Sequence, residues 1–260
     1  MKNILNDLIA EQAATDVLVA DLTEEQWLTP LPGVEMWNIK DAIIHLAFYD
    51  YTASQLMEGK AKDLVEIAEA EAGQDEYFRA TSFHHLSGAE VLSWWREERT
   101  RMLGLFYQID PKARVPWFTG LPMAAKSLAS ARLMELWGHS VDIYDALNLE
   151  PIVKERITST LFLSWQARPN AYRINNLTLS ATPMYLELTL PSGAIWTAGD
   201  KAAENYIKGS AKEWALVAIR RRNWMDSDLE VVGEEARRYA SIVQTYAGIA
   251  EEAPPAKRLR

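Results

Sequence analysis

Two kinds of hydrophobic repeat divide this chain of 260 residues, and the division restricts it to a helical part followed by a mixed one. Up to about residue 165 the apolar side chains recur every three or four positions, the spacing of a helix with one buried face. Ile4, Leu8, Val17 and Leu18 mark a first helix over residues 3–22, broken by the turn Thr29-Pro30-Leu31-Pro32-Gly33. Asn38 with Asp41 three residues later is a variant capping box, and Ile39, Ala42, Ile43 and Leu46 carry a second helix to about residue 57. Residues 60–83 are acidic and weakly patterned. Ser87 or Gly88 opens a third long helix through Leu92, Trp95, Met102 and Phe106, closed by Pro111 and Pro116. Residues 127–148 form the fourth, on Leu128, Leu133, Leu136, Trp137, Val141 and Tyr144.

After a helix over residues 152–165 the period shortens to two. Leu177, Leu179 and Ala181 alternate with polar residues, as do Met184, Leu186, Leu188 and Leu190, and a Pro191-Ser192-Gly193 turn leads into Ala194-Ile195-Trp196-Thr197. That pattern predicts antiparallel sheet. Helices over residues 210–222 and 234–247 complete it. The expected fold class is therefore α+β. A four-helix bundle occupies residues 1–150, a smaller α+β domain residues 151–250, and a disordered tail residues 251–260, beyond Pro254-Pro255.

The chain has no cysteine, which excludes disulfides, thiolate metal sites, iron–sulfur clusters and a cysteine nucleophile. Its net charge of −9 disfavours nucleic acid and anionic membrane surfaces as partners. The clusters Arg220-Arg221-Arg222 and Lys257-Arg258-Leu259-Arg260 read as a helix end and a solvated tail. With no signal-peptide pattern at Met1 and no long apolar span, the expected location is the cytoplasm, as a monomer or homodimer. Gly-x-Ser-x-Gly and the glycine-rich phosphate loops do not occur, so serine-hydrolase and nucleotide-binding chemistry lack support.

The residues that carry chemistry lie on the second and fourth helices. Glu135 and His139 are four apart on one face, and His45 lies near the middle of the second helix. Two imidazoles and one carboxylate form the ligand set of a catalytic divalent metal site with open positions. The bland alternative is a Glu–His hydrogen bond on a helix surface. Against it, His45 and His139 sit beside strongly apolar positions, where an unpaired imidazole is expensive to bury. Asp41 and Asp142 lie one turn from the two histidines. Either is a candidate acceptor holding an imidazole tautomer, with Asp142 a possible further ligand and capping the favoured role for Asp41. His84 and His85 fall in a loop and are left out of the site. Trp94, Trp95, Trp117 and Trp137 are candidates to line a substrate pocket, with core packing favoured for Trp95 and the role of Trp117 open.

The segments from Trp37 to Leu46, Val115 to Phe118 and Ala131 to Leu147 together resemble the DinB-like metal-binding domain. More closely, they resemble the mycothiol-dependent maleylpyruvate isomerase branch and its uncharacterised relatives. The resemblance implies a four-helix bundle that binds zinc or a similar divalent ion through His45, Glu135 and His139. It also implies a C-terminal module similar to sterol-carrier-like domains, in which an arginine late in a helix contributes to activity. Arg221 matches that position, as a catalytic, anion-binding group on the face of Trp214 and Ala218; a plain helix-end arginine is the alternative.

A metal with open positions can hold an external low-molecular-weight thiol as a thiolate, which fits a chain with no cysteine of its own. Attack on a conjugated double bond, rotation and elimination give cis–trans isomerisation; attack alone gives transfer. The expected function is thus a metal-dependent, thiol-linked isomerase or transferase acting on a small, unsaturated carboxylic substrate. A metal-dependent hydrolase using water, and a non-catalytic metal-containing protein that binds a small ligand, are the alternatives.

Overall fold

The computed structural model describes residues 1–60, 82–116, 122–246 and 248–257. Trp117, most of the acidic stretch after Lys60 and the last three residues of the basic tail lie outside them. The chain divides into two compact units, Met1–Pro151 and Ile152–Arg260.

The first unit is helical. Helices α1 (Lys2–Val19), α2 (Glu24–Trp27), α3 (Ile39–Met57), α4 (Gly88–Gln108) and α5 (Ala125–Ala146) account for most of it, with a two-stranded hairpin of β1 (Arg114–Val115) and β2 (Met123–Ala124) leading into α5. α3 packs against both α4 and α5, and α1 packs against α5 and α4. This is why α3 is buried over most of its circumference, including Ile39, Ala42, Ile43, Ile44, Leu46, Ala47, Ala53 and Leu56. Side chains from all four long helices, among them Leu5, Leu8, Ile43, Trp95, Phe106, Leu133 and Leu136, meet in one core.

Local chemistry fixes where these helices begin. Thr23 with Gln26, Asn38 with Asp41 and Ser87 with Glu90 each form a reciprocal capping box. Each box satisfies backbone N–H groups that the first turn leaves without a partner. Gly88 is required at its position, because a Cβ there would stand 2.2 Å from Cδ1 of the buried Trp27.

In the second unit a 3-10 turn (Glu155–Ile157) leads into α6 (Thr158–Gln166) and α7 (Arg168–Ile174). A four-stranded sheet follows, ordered β4-β3-β5-β6, from β3 (Met184–Thr189), β4 (Ile195–Gly199), β5 (Asn205–Ser210) and β6 (Glu230–Val232). β3 and β4 form the expected antiparallel hairpin, closed by Gly193 at φ 87°. β5 then runs parallel to β3, so the sheet is mixed rather than wholly antiparallel. α8 (Ala211–Ala218) and α9 (Glu234–Ile242) pack on β5, with α8 also against α6.

Three sequence expectations change here. Residues 177–181 alternate in hydropathy yet form no strand: Leu177 and Leu179 are exposed, and the segment follows α7, which the sequence reading omitted. Pro169, in the first turn of α7, was the available signal for it. Second, the helix expected to reach Arg222 stops at Ala218, because Arg220 turns the chain at φ 62°. Third, the described part of the tail, residues 251–257, is tied to the rest of its unit. The buried Arg220 guanidinium donates to the carbonyls of Ser241 (2.9 Å) and Glu251 (2.5 Å), Asn223 Nδ2 donates to the Pro254 carbonyl, and the Lys257 N–H donates to Asp226. Arg220 is therefore an internal tie and not simply the end of a helix.

Candidate metal centre

α3 presents His45 and α5 presents Glu135 and His139 to one point. His45 Nε2 and His139 Nε2 each lie 3.8 Å from Glu135 Oε2, and one ligand atom from each of the three residues falls within 4.8 Å of the others. Among the described residues this is the one group of His, Asp and Glu side chains so placed.

The spacing tests whether an ion fits. At 3.8 Å neither N···O pair is a hydrogen bond. Ligands each about 2.1 Å from one cation stand about 3.0–3.5 Å apart, so side-chain rotations that shorten the two N···O gaps by a few tenths of an ångström and draw in the third pair, now within 4.8 Å, bring the three donors to one cation with its other positions open. The two imidazoles are almost enclosed, at 9% and 10% side-chain exposure, while Glu135 at 27% faces the open side. The donor set and its spacing fit a divalent cation.

Electrostatics prepares the carboxylate for ligation. Burial alone pushes the Glu135 carboxyl upward, but interaction with His45, the nearby His139 and the Arg132 guanidinium outweigh it and hold the group down to about 2. Glu135 is thus anionic at every ordinary pH.

Asp142 decides which nitrogen of His139 is offered. Its Oδ2 lies 3.1 Å from Nδ1, and because a carboxylate only accepts, Nδ1 carries the proton and Nε2 keeps its lone pair for a metal. Asp142 is 1% exposed and sits behind the imidazole, where it serves as an orienting acceptor. Asp41 does not reach the trio. One oxygen accepts from the Asn38 N–H, and the other accepts from His84 Nε2 at 2.5 Å. His84 thereby belongs to the start of α3, and His85 Nδ1 faces the Ser82 carbonyl.

Trp95 packs in the core as favoured, Trp94 stacks on Phe83, and the aromatic walls come from residues that the sequence reading did not single out. Trp37 lies against both imidazoles, stacked on His139 with centroids 5.7 Å apart and tilted on His45 at 5.2 Å; Tyr49 closes on His45 at 4.6 Å. The loop before α3 places the indole: Leu31 N–H donates to the Trp37 carbonyl, the Trp37 N–H donates to that of Val34, and Met36 makes the bend at φ 67°. Tyr49 was legible as the residue one turn after His45. Trp37 precedes the cap, and only the folded loop brings it in.

Arg221 belongs to the second unit, and the end of α8 at Ala218 removes it from the helical face of Trp214. Its Nη1 donates to the Ile219 carbonyl at 3.1 Å.

Comparison with known proteins agrees with this architecture. The family model for the mycothiol maleylpyruvate isomerase N-terminal domain matches residues 8–144, a span that includes His45, Glu135 and His139. An uncharacterised protein found in two strains of Mycobacterium tuberculosis is 36% identical over 247 residues, covering 93% of this chain and 94% of its own. Crystal structures of mycothiol-dependent maleylpyruvate isomerase and of a histidine-to-alanine variant superpose with a TM-score of 0.58 at 14% identity, over 85% of this chain and 89% of theirs. At that identity the likeness establishes a shared fold. Among the described residues no helix is long and apolar enough to cross a membrane. By the match over more than half its length, the chain belongs to the mycothiol maleylpyruvate isomerase N-terminal domain family.

Proposed function

We propose that this protein is a divalent-metal-dependent enzyme that activates an external thiol for isomerisation or transfer on a small, unsaturated carboxylic acid. The observation that carries the reading is the convergence of His45, Glu135 and His139, with Asp142 fixing the tautomer of His139. A bound divalent ion, zinc in our reading, supplies Lewis acidity that generates a nucleophile at neutral pH. The protein supplies the rest. Glu135 contributes the negative charge that retains the ion, Trp37 and Tyr49 hold the imidazole planes and exclude water, and Asp142 offsets the charge that develops on His139. Since the chain has no cysteine, the thiol is a separate molecule, a mycothiol-like compound by analogy with the solved enzyme of this fold.

The reading includes a bundle domain over residues 1–150, an α+β domain over residues 151–250 and a cytoplasmic location. Arg221 is assigned to substrate carboxylate binding, on the resemblance read from the sequence alone. The test is in two stages. Elemental analysis of the purified protein should give one divalent ion per chain, absent from His45→Ala and His139→Ala. Thiol-dependent conversion of an enoyl acid, read as cis–trans product with the thiol regenerated for isomerisation or as thiol consumed for transfer, should then be lost on chelation and restored by zinc. Unchanged metal content in both variants defeats the reading, and chelator-insensitive turnover defeats its chemistry. Hydrolysis products of unchanged thiol content point to water as the nucleophile instead.

A further inference from the structure

One turn beyond the ligand trio lies a second junction between the same two helices. Arg132 on α5 and Asp50 on α3 are 2% and 4% exposed, and Arg132 Nε donates to Asp50 Oδ1 at 3.0 Å. The other carboxylate oxygen accepts from Trp95 Nε1 of α4 at 3.2 Å, so one buried group joins three helices. Arg132 Nη2 reaches the carbonyl of Leu46 (3.5 Å), the residue after His45. Its guanidinium carbon lies 5.8 Å from the ring of Tyr49, which packs on the His45 imidazole. Arg132 therefore touches residues 46, 49 and 50, the stretch of α3 that follows the ligand.

The positions explain what such a contact sets. Arg132 precedes Glu135 by three residues, about 4.5 Å of helical rise, and Asp50 follows His45 by five, about 7.5 Å. α3 and α5 thus run antiparallel here, with ligand trio and ion pair on successive levels of one interface. A slip of one helix by a turn, about 5.4 Å, carries His45 out of reach of Glu135. Apolar packing alone resists such a slip weakly, whereas a planar guanidinium with a defined carboxylate and carbonyl does not tolerate it. For stability alone, well-packed apolar side chains serve a buried position as well as an ion pair, and the best-attested use of a buried polar pair is to fix register.

We propose that the Arg132–Asp50 pair is a positioning device for the metal centre, locking α3 against α5 in the register that brings His45 to Glu135 and His139 and keeping a fixed cation one turn from Glu135. This rests on the reading of the trio as a metal site. Neither residue touches the reacting atoms, so the test must separate positioning from mere stability.

Zinc affinity of the full chain, measured by competition with a chromogenic chelator, supplies that separation, together with the visible absorption of the cobalt(II)-loaded protein. Asp50→Asn and Arg132→Lys should each weaken zinc binding tenfold or more and shift the cobalt spectrum, with circular dichroism reporting folded protein. The double variant Arg132→Met with Asp50→Leu should recover thermal stability without recovering zinc affinity. Arg168 and Glu235, whose side chains meet at 2.5 Å inside the second unit, form the control. Arg168→Met with Glu235→Gln should lower the melting temperature while leaving zinc affinity within twofold. A double Arg132/Asp50 variant with wild-type affinity and cobalt spectrum overturns the positioning role while the metal site stands. Wild-type protein that binds no zinc overturns the site itself and this role with it.

Discussion

The sharpest consequence of the geometry concerns Asp142, which touches none of the reacting groups. Its Oδ2 accepts from His139 Nδ1 at 3.1 Å, and the carboxylate is 1% exposed, so water cannot readily replace it. A hydrogen bond to a charged group contributes about 1.5–3 kcal/mol, and charge-assisted bonds are about twice as strong as neutral ones. Asp142→Asn keeps an acceptor at Nδ1 and loses the charge, so roughly half of that bond, about 1 kcal/mol, should disappear. Asp142→Ala loses all of it and leaves Nδ1 without this acceptor. Since each tenfold change in Kd is about 1.4 kcal/mol, zinc should bind roughly five- to tenfold more weakly to the first variant. For the second, a loss of about 10- to 100-fold matches the usual effect of removing a partner of a metal-bound histidine. Chelator competition at neutral pH, at a temperature where both variants are folded, measures the two values. Equal affinity in wild type and Asp142→Ala refutes the reasoning, because it means that Nδ1 needs no anionic partner. A larger loss for Asn than for Ala refutes it as well.

Gly88→Ala sets a Cβ 2.2 Å from Cδ1 of Trp27, and overpacking of that kind should cost about 1–3 kcal/mol, read as a lower melting temperature. Asp41→Ala removes the reciprocal half of the α3 capping box, the acceptor of the Asn38 N–H, together with the carboxylate facing His84, and should cost about 0.5–2 kcal/mol, with Asp41→Asn retaining much of the box. An unchanged melting temperature would show that neither contact contributes. Burial first, and then the Glu235 carboxylate, push the Tyr172 phenol up to about 12, above the ordinary tyrosine value of about 10. The folded protein therefore keeps a proton that the unfolded chain releases. Stability from this group is complete below about pH 10 and is lost as pH rises toward 12, and Tyr172→Phe should flatten that part of the curve in alkaline denaturant titrations.

The convergence of the candidate trio was legible because helices repeat: His45, Glu135 and His139 occupy positions that periodicity places on inward faces, and the i, i+4 pair shares a face wherever the helix goes. Cap chemistry was legible for the same local reason, with Asn38, Asp41 and Ser87 marking starts that the backbone itself requires. Local rules failed where distant chain decided the outcome. The alternation at Leu177, Leu179 and Ala181 found no neighbouring strand to pair with. Arg220, read as part of a helix end, instead turns the chain after α8 and donates to the carbonyls of Ser241, Val243 and Glu251.

By itself, then, the sequence determined the four long helices of the first unit, the caps at Asn38 and Ser87, the hairpin of β3 and β4, and the three candidate donor side chains, since each depends on residues within one or two turns or one hairpin. Tertiary structure decided the rest. It set the antiparallel register that joins α3 to α5, the place of Trp37 against both imidazoles, Asp142 as backing for His139 rather than a ligand, and β5 running parallel to β3. These depend on contacts between segments up to about a hundred residues apart, and no local periodicity encodes which pairs of buried polar groups will meet.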